Sequence, residues 1–591
     1  MLECLHVVLL FFGYGVLATT DRPNIVFIVA DDMGRHDTGF NGGDVRTPNM
    51  DSLAAQGVII SRHYTLPSCT PSRAALMTGR YPIRSGMQSK PLPAGVPLSL
   101  PLSEKIFPQH FHQLGYKAHL VGKWHLGYQT PSHLPTRRGF DSFFGYLNGY
   151  VSYYDATHSQ SGVNGRDMRR DEEGASLEVY GKYLTKVLSD EAVSVIEKHP
   201  GSGGLLLFLM HAAPHTGNLG YPREAPPGLA SNAITLKAEE QSKSKAPGKR
   251  RDQKGKKSFP KCDIYTFTET VRHLDNSVGD VVAALNKKGV LNNTIIVFFS
   301  DNGAPTVDEL YHYDNYGSNW PLRGEKMSNR DGGVRTPSFI WSPMLREQAR
   351  VSQELFHITD WLPTLYTAAG GKLSDISGSE TIDGVDQWGF LTTSAAPPRT
   401  ELLVDINDVY ESESYIIDNW KLIKDPPPSQ KTVFATKYYG DSGDDFTYNE
   451  LEVDMRRAAN HLPQPKVSYA EVRKRSTPKR RCDTTEEALK VDCHSKYCLY
   501  DILEDPSECK DLASSHPDIV KLLSGRLEDY RKVMVPTDNC SYDPRADPKN
   551  WDDYWSPWME DEPGSGASAS LLLPKLLALL LITNILICVF S

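Results

Sequence analysis

Asn24-Ile25-Val26-Phe27-Ile28-Val29-Ala30-Asp31-Asp32 decides the fold. A run this apolar and β-branched offers no hydrophilic face, so it reads as a strand buried on both sides, the mark of a parallel sheet covered by helices. The two carboxylates at its end lie at the carboxyl edge, where open α/β sheets gather their sites. Read alone, Asp31 and Asp32 are either a polar strand end capping the next turn or ligands for a hard cation, since carboxylate oxygens suit calcium or magnesium.

Three further strands follow the same rule. Gly115 to Val121 exits into Gly122-Lys123-Trp124-His125, and strand alternation sends Lys123 and His125 to one side. Leu205 to Met210 ends in His211-Ala212-Ala213-Pro214-His215, and Thr294 to Phe299 ends in Ser300-Asp301-Asn302-Gly303. The connections include the helix-length stretches Lys182 to Glu197 and Thr268 to Lys288. The fold class is therefore α/β: a large, mostly parallel central sheet flanked by helices, with its site along the carboxyl edge. Thr47-Pro48-Asn49-Met50-Asp51 predicts a capped helix start. Asn319 to Lys326, followed by Asp331-Gly332-Gly333-Val334-Arg335, is a glycine-bearing loop that either brings Lys326 back over the site or leaves it in solvent.

A chain of 591 residues exceeds the size at which one core stops growing. After about residue 395 the strand-then-site rhythm gives way to polar segments and short alternation, as in Ser414 to Ile423, and then to helical spacing from Ile519 to Val533. Residues 19–395 are thus expected to form the first domain and 396–563 a smaller α+β domain with an antiparallel sheet. A net charge of −9 argues against general nucleic-acid affinity. Two basic runs, Lys243 to Lys257 and Arg473 to Arg481, read as mobile surface segments, either solvated loops or contacts for an anionic polysaccharide.

Both ends read as targeting signals. Leu5 to Val16 is too short to span a bilayer and leads to small residues at Ala18, so residues 1–18 are expected to be a cleaved signal peptide. Residues 564–591 combine a small-residue site with a hydrophobic tail, which favours a glycosylphosphatidylinositol signal over a membrane span. The expected location is the secretory pathway, then the cell surface or the lysosome. Removing the ends leaves Cys69 and an even set, Cys262, Cys482, Cys493, Cys498, Cys509 and Cys540; six cysteines allow fifteen disulfide pairings. Asn292-Asn293-Thr294 and Asn539-Cys540-Ser541 are candidate glycosylation sites.

Cys69-Thr70-Pro71-Ser72-Arg73, running into Thr78-Gly79-Arg80, resembles the activation signature of the type I sulfatases. Longer phrases extend the resemblance over residues 22 to 560 and toward the arylsulfatase B group, which acts on N-acetylgalactosamine 4-sulfate: Leu134 to Asp141, Asn319 to Gly324, Ile358 to Thr364, and Trp555-Ser556-Pro557-Trp558-Met559. The resemblance implies an alkaline-phosphatase-like sulfatase fold. It implies that a formylglycine-generating enzyme oxidises Cys69, that the hydrated aldehyde attacks sulfur, and that its second hydroxyl lets sulfate leave. It implies one calcium ion held by Asp31, Asp32, Asp301, Asn302 and modified Cys69, with Arg73, Lys123, His125, His215 and Lys326 around the sulfate. Asp301 is then a proton acceptor, His215 or Lys326 the donor to the leaving oxygen, and His125 the base for the second hydroxyl.

Two positions depart from that group: no proline follows two residues after His215, and Asp331 stands where glutamate is usual. Neither touches the ten core positions, so the departures bear on substrate. The expected substrate is N-acetylgalactosamine 4-sulfate of dermatan or chondroitin sulfate; the alternatives are small aryl or glycoside sulfates, or a non-catalytic glycan-binding surface protein.

Overall fold

A computed structural model describes residues 22–43, 45–218, 224–226, 264–308, 313–314, 316–347, 349–376, 381–427, 459–462, 467–477 and 491–561. The signal segment 1–18, the basic insertion 243–257, Cys262, Cys482, residues 479–481 and the tail 564–591 lie outside them. Among the described residues, no helix is long and apolar enough to cross a membrane.

The large sheet has ten strands, in the order Arg350–His357, Val58–Tyr64, Ser338–Trp341, Thr294–Ser300, Asn24–Asp31, Leu205–Pro214, Lys117–Lys123, Ser142–Tyr146, Arg169–Arg170 and Glu173–Gly174. Only Ser338–Trp341 and Arg169–Arg170 run against the rest. The carboxyl ends of the central strands therefore meet at one edge, with Ala30 level with Ser300 and Gly122 with Met210.

Period-two alternation splits the core into two layers. Ile25, Phe27 and Val29 face one side with Leu206 and Phe208, while Val26, Ile28 and Ala30 face the other with Leu207 and Leu209. Phe27 stacks on Phe208 at 4.6 Å and meets the edge of Phe107, from the helix Phe107–His112, at 5.5 Å. Helices Leu184–Lys198 and Ile264–Lys287 cover the second face through Leu188, Ile196, Val271 and Val278. Both faces are dry, which is why these strands contain no polar alternation.

The smaller sheet is antiparallel, in the order Glu401–Asn407, Ser412–Ile417, Trp420–Lys424 and Cys498–Asp501. Helix Pro517–Arg531 packs on it through Leu523 and Leu527. The chain then returns to the large domain, burying Trp555 and Trp558 in its core.

Three expectations need correction. Helix Pro48–Ala54 forms, but Thr47 does not cap it; its hydroxyl donates to Asp51 at 3.0 Å and accepts from Gly39 N at 2.8 Å, a tertiary use of the side chain. Arg473-Lys474-Arg475 is not a loop but part of helix Tyr469–Ser476, whose Arg473 donates to the Gly42 carbonyl at 2.7 Å. Cys493 and Cys498 form a disulfide and Cys509 is disulfide-bonded, but Cys540 keeps a free thiol. Asn292 and Asn539 are exposed.

Candidate active site

Cys69 opens helix Cys69–Thr78, just after the strand Val58–Tyr64. Ser68 stands before it in extended conformation, and Pro71 falls within the first turn, where the N–H groups have no helical acceptor and a proline costs nothing. Gly79 ends the helix at φ +67, a left-handed conformation that favours glycine. The free N–H groups and helix dipole favour negative charge where Cys69 sits. Cys69 itself is 1% exposed, and burial pushes its thiol up, although Lys123 and Lys326 act the other way.

The carboxyl edge supplies the rest. Lys123, at its strand end and 1% exposed, donates to Asp31 Oδ2 at 2.6 Å. Asp32 receives Lys326 Nζ at 2.7 Å on Oδ1 and Asn302 Nδ2 at 2.7 Å on the same oxygen, and His215 Nε2 lies 3.5 Å from its Oδ2. Arg73 reaches back from its helix to Asp301 Oδ2 at 2.9 Å and to the Lys123 carbonyl at 3.1 Å. Asp32 N donates to Asp301 Oδ1 at 3.3 Å, closing the ring. The ten residues singled out in the sequence thus converge, with Cys69 and His125 in the electrostatic reach of Lys123 and Lys326.

Two non-glycine residues at the site, Asp32 (φ +65) and His125 (φ +56), hold left-handed backbone, a strain that persists where surrounding structure enforces it. Gly149 makes room for His125, since a Cβ there would come within 2.9 Å of the imidazole.

Burial raises Asp31, and with Asp301 and Asp32 nearby it outweighs Lys123 to leave the carboxyl at about 7. Burial also opposes ionisation of Asp32, but Lys326, joined by the hydrogen bond from Asn302, prevails and holds it at about 2. The two histidines are neutral: burial drives His215 to about 3 and His125 well below its ordinary value. Lys326 is held protonated because Asp32 and Cys69 outweigh its burial.

Asp31 Oδ1 and Asn302 Oδ1 are buried without a hydrogen-bond partner. Buried acceptors normally find donors. Ligand atoms of Asp31, Asp32 and His215 also lie within 4.8 Å of one another. Orphaned oxygens beside converging carboxylates fit a hard dication, for which oxygen ligands are the natural set.

Sequence reasoning missed Thr70 and Tyr150. Thr70 Oγ1 donates to the His125 carbonyl at 3.2 Å and accepts from Leu92 N at 3.0 Å, and the Leu92 carbonyl in turn holds His125 Nε2 at 3.0 Å. Tyr150 stacks on His215 at 5.7 Å with 12° between the rings. Thr70 lay inside the quoted signature; for Tyr150, its position just beyond a strand end was the available cue.

Residues 23–371 match the sulfatase family model. Arylsulfatase J of Mus musculus is 30% identical over 565 residues, 92% of this chain and 82% of that protein. N-acetylgalactosamine-6-sulfatase of Homo sapiens is 30% identical over 372 residues, 61% of this chain and 64% of that protein. Among solved structures, that of Ps i-CgsB superposes with a TM-score of 0.62 at 25% identity, covering 88% of this chain and 94% of that one. With a family match spanning more than half its length and a relative aligned along nearly all of it, this chain belongs to the sulfatase family and is a sulfatase.

Proposed function

We propose that the enzyme removes the 4-sulfate of N-acetylgalactosamine at the end of dermatan or chondroitin sulfate, using formylglycine made from Cys69 and one calcium ion. The observation that carries the site chemistry is the pair of orphaned oxygens, Asp31 Oδ1 and Asn302 Oδ1, in a cluster whose carboxylates Asp31, Asp32 and Asp301 are paired with Lys123, Lys326 and Arg73. The substrate class is supported by the similarity to an N-acetylgalactosamine-6-sulfatase and by the phrases shared with the arylsulfatase B group.

Calcium on Asp31, Asp32, Asp301, Asn302 and modified Cys69 would draw negative charge off the sulfate oxygens. A formylglycyl-hydrate at position 69 would supply the nucleophile that a buried, protonated thiol cannot. The chain's own residues do the rest. Lys123, Lys326 and Arg73 hold sulfate oxygens in a largely buried site, where fixed charge is worth more than in solvent. His125 Nε2 faces the Leu92 carbonyl, which only accepts; Nε2 therefore carries the proton and the orphaned Nδ1 is a free base. His215 Nδ1 likewise donates to the Thr216 carbonyl at 2.6 Å, leaving Nε2 to accept. Lys326, charged at every working pH, is then the better donor to the leaving sugar oxygen.

Turnover of a panel of sulfated monosaccharides and chondroitin disaccharides, set beside simple aryl sulfates, tests the reading. Preference for non-reducing-end N-acetylgalactosamine 4-sulfate is the expected result. Preference for the 6-sulfate, or turnover of aryl sulfates alone, overturns the substrate; no turnover and an unmodified Cys69 by peptide mass leaves a glycan-binding protein.

The tail sequence supports lipid anchoring of the secreted enzyme at the cell surface. Phosphatidylinositol-specific phospholipase C is expected to release the activity from intact cells, and activity that stays on the cells would count against the anchor.

A further inference from the structure

Lys326 stands on a loop, not on a helix or strand, and the loop is fastened on both sides. On the large domain, Lys326 N donates to Ala304 O at 3.3 Å and Met327 N to Pro67 O at 2.7 Å, two residues before Cys69. On the other side its ends meet Glu508, just after the small sheet's last strand, and Lys421 within that sheet. Arg323 Nη1 donates to the Glu508 carbonyl at 3.0 Å, and Asp331 N donates to Glu508 Oε2 at 3.1 Å. Lys421, from strand Trp420–Lys424, pairs with Asp331 Oδ1 at 2.6 Å and Glu508 Oε1 at 3.0 Å, and all three side chains are 0% exposed. Asp331 also receives Tyr64 OH at 3.2 Å, and Tyr64 is the last residue of the strand that leads to Cys69.

A buried charge network of this kind is a poor device for stability, since well-packed apolar side chains of equal volume do as well or better. Its distinguishing property is direction: it admits one arrangement of the groups it joins. Here the joined groups are the strand end before Cys69 and both ends of the Lys326 loop. We infer that Lys421, with Asp331 and Glu508, is a positioning residue through which the small C-terminal sheet sets where Lys326 stands relative to Cys69. The shorter Asp331, noted above as a departure, reaches its partners directly.

The inference rests on the reading of Lys326 as a group that grips the sulfate, and the test separates the two. Lys421→Met and Lys326→Ala are made singly and together in the full chain and assayed with an aryl sulfate after the thermal unfolding transition of each is recorded. Lys421→Met is expected to lower kcat by on the order of 10²-fold, the scale of a displacement of about 1 Å at a reacting centre, with a smaller change in KM. In the Lys326→Ala background the same substitution is expected to change kcat less than about twofold, because a residue acting through Lys326 has nothing left to position. Equal losses in the two backgrounds, or wild-type kcat in folded Lys421→Met, overturn the inference. Wild-type turnover by Lys326→Ala with Lys421 intact overturns the reading of Lys326 instead. If Lys421→Met does not fold, Glu508→Gln, which keeps the acceptor for Asp331 N and removes one charge, takes its place under the same criteria.

Discussion

Cys69→Ala abolishes sulfate release, with a loss of at least about 10⁴-fold, while the protein still folds. The magnitude follows from the role: when a covalent nucleophile is removed, residual turnover comes only from the groups that bind and polarise the substrate, and those act as one unit with it. The fold survives because the change removes one sulfur atom at the start of a ten-residue helix whose body is held by Ala74, Ala75, Leu76 and Met77 in the core. At most a small cavity results, costing about 1–2 kcal/mol on the scale of large-to-small substitutions. Sulfate release on an aryl ester, circular dichroism and the peptide mass at position 69 together check the result. Turnover surviving the substitution, or a wild-type enzyme whose Cys69 is unmodified yet active, removes the nucleophile from this position. The geometry gives a reason to expect an oxidised side chain: burial raises the thiol, so the unmodified group is both protonated and sheltered, the opposite of a reactive cysteine.

Some of this was open to a reader of the sequence, and the boundary has a physical origin. Asn24–Asp31, Leu205–Pro214 and Thr294–Ser300 were legible because strands covered on both faces leave no choice but continuous apolar side chains. The ends of those strands were legible because ionisable groups directly after such runs have nowhere to be but the sheet edge. Lys421 was not legible. In Trp420-Lys421-Leu422 the alternation places Lys421 opposite Leu422, which reads as a solvent face, yet the residues 323–335 and Glu508 cover that face and bury the lysine completely. Arg473 failed for the same reason: charge density predicts solvent, but the acceptor is the Gly42 carbonyl, far off in sequence. The even cysteine count predicted full pairing, whereas pairing is decided by whether two Cβ atoms come within reach, and Cys540 is free among the described residues. Local pattern carries what a residue must avoid; it carries little about which distant group it meets.

Removing the divalent ion, or one of its ligands, is the second change with a large expected effect. Asp31, Asp32 and Asp301 face Lys123, Lys326 and Arg73 with both histidines neutral, so the bare cluster is close to charge balance. Balanced charge has little hold on a sulfate monoester. A dication tips the cluster to net positive and gives Asp31 Oδ1 and Asn302 Oδ1 the partner they otherwise lack. Stripping with a chelator is therefore expected to raise KM and lower kcat together, by on the order of 10²–10³-fold in kcat on the scale of losing a preorganised electrostatic contact. Calcium is expected to restore activity. Asp31→Asn should reproduce the loss irreversibly, because the amide keeps the shape but loses the negative charge that attracts the ion and balances Lys123. A second readout does not depend on turnover. An ion that binds only the folded state stabilises it by about 2.7 kcal/mol at one hundred times its dissociation constant, so calcium should raise the unfolding temperature of stripped wild-type protein and leave that of Asp31→Asn unmoved. A chelated enzyme with full activity and an unfolding temperature indifferent to calcium would show that the carboxylates are satisfied by Lys123, Lys326 and Arg73 alone, and would leave the orphaned oxygens to be explained by water.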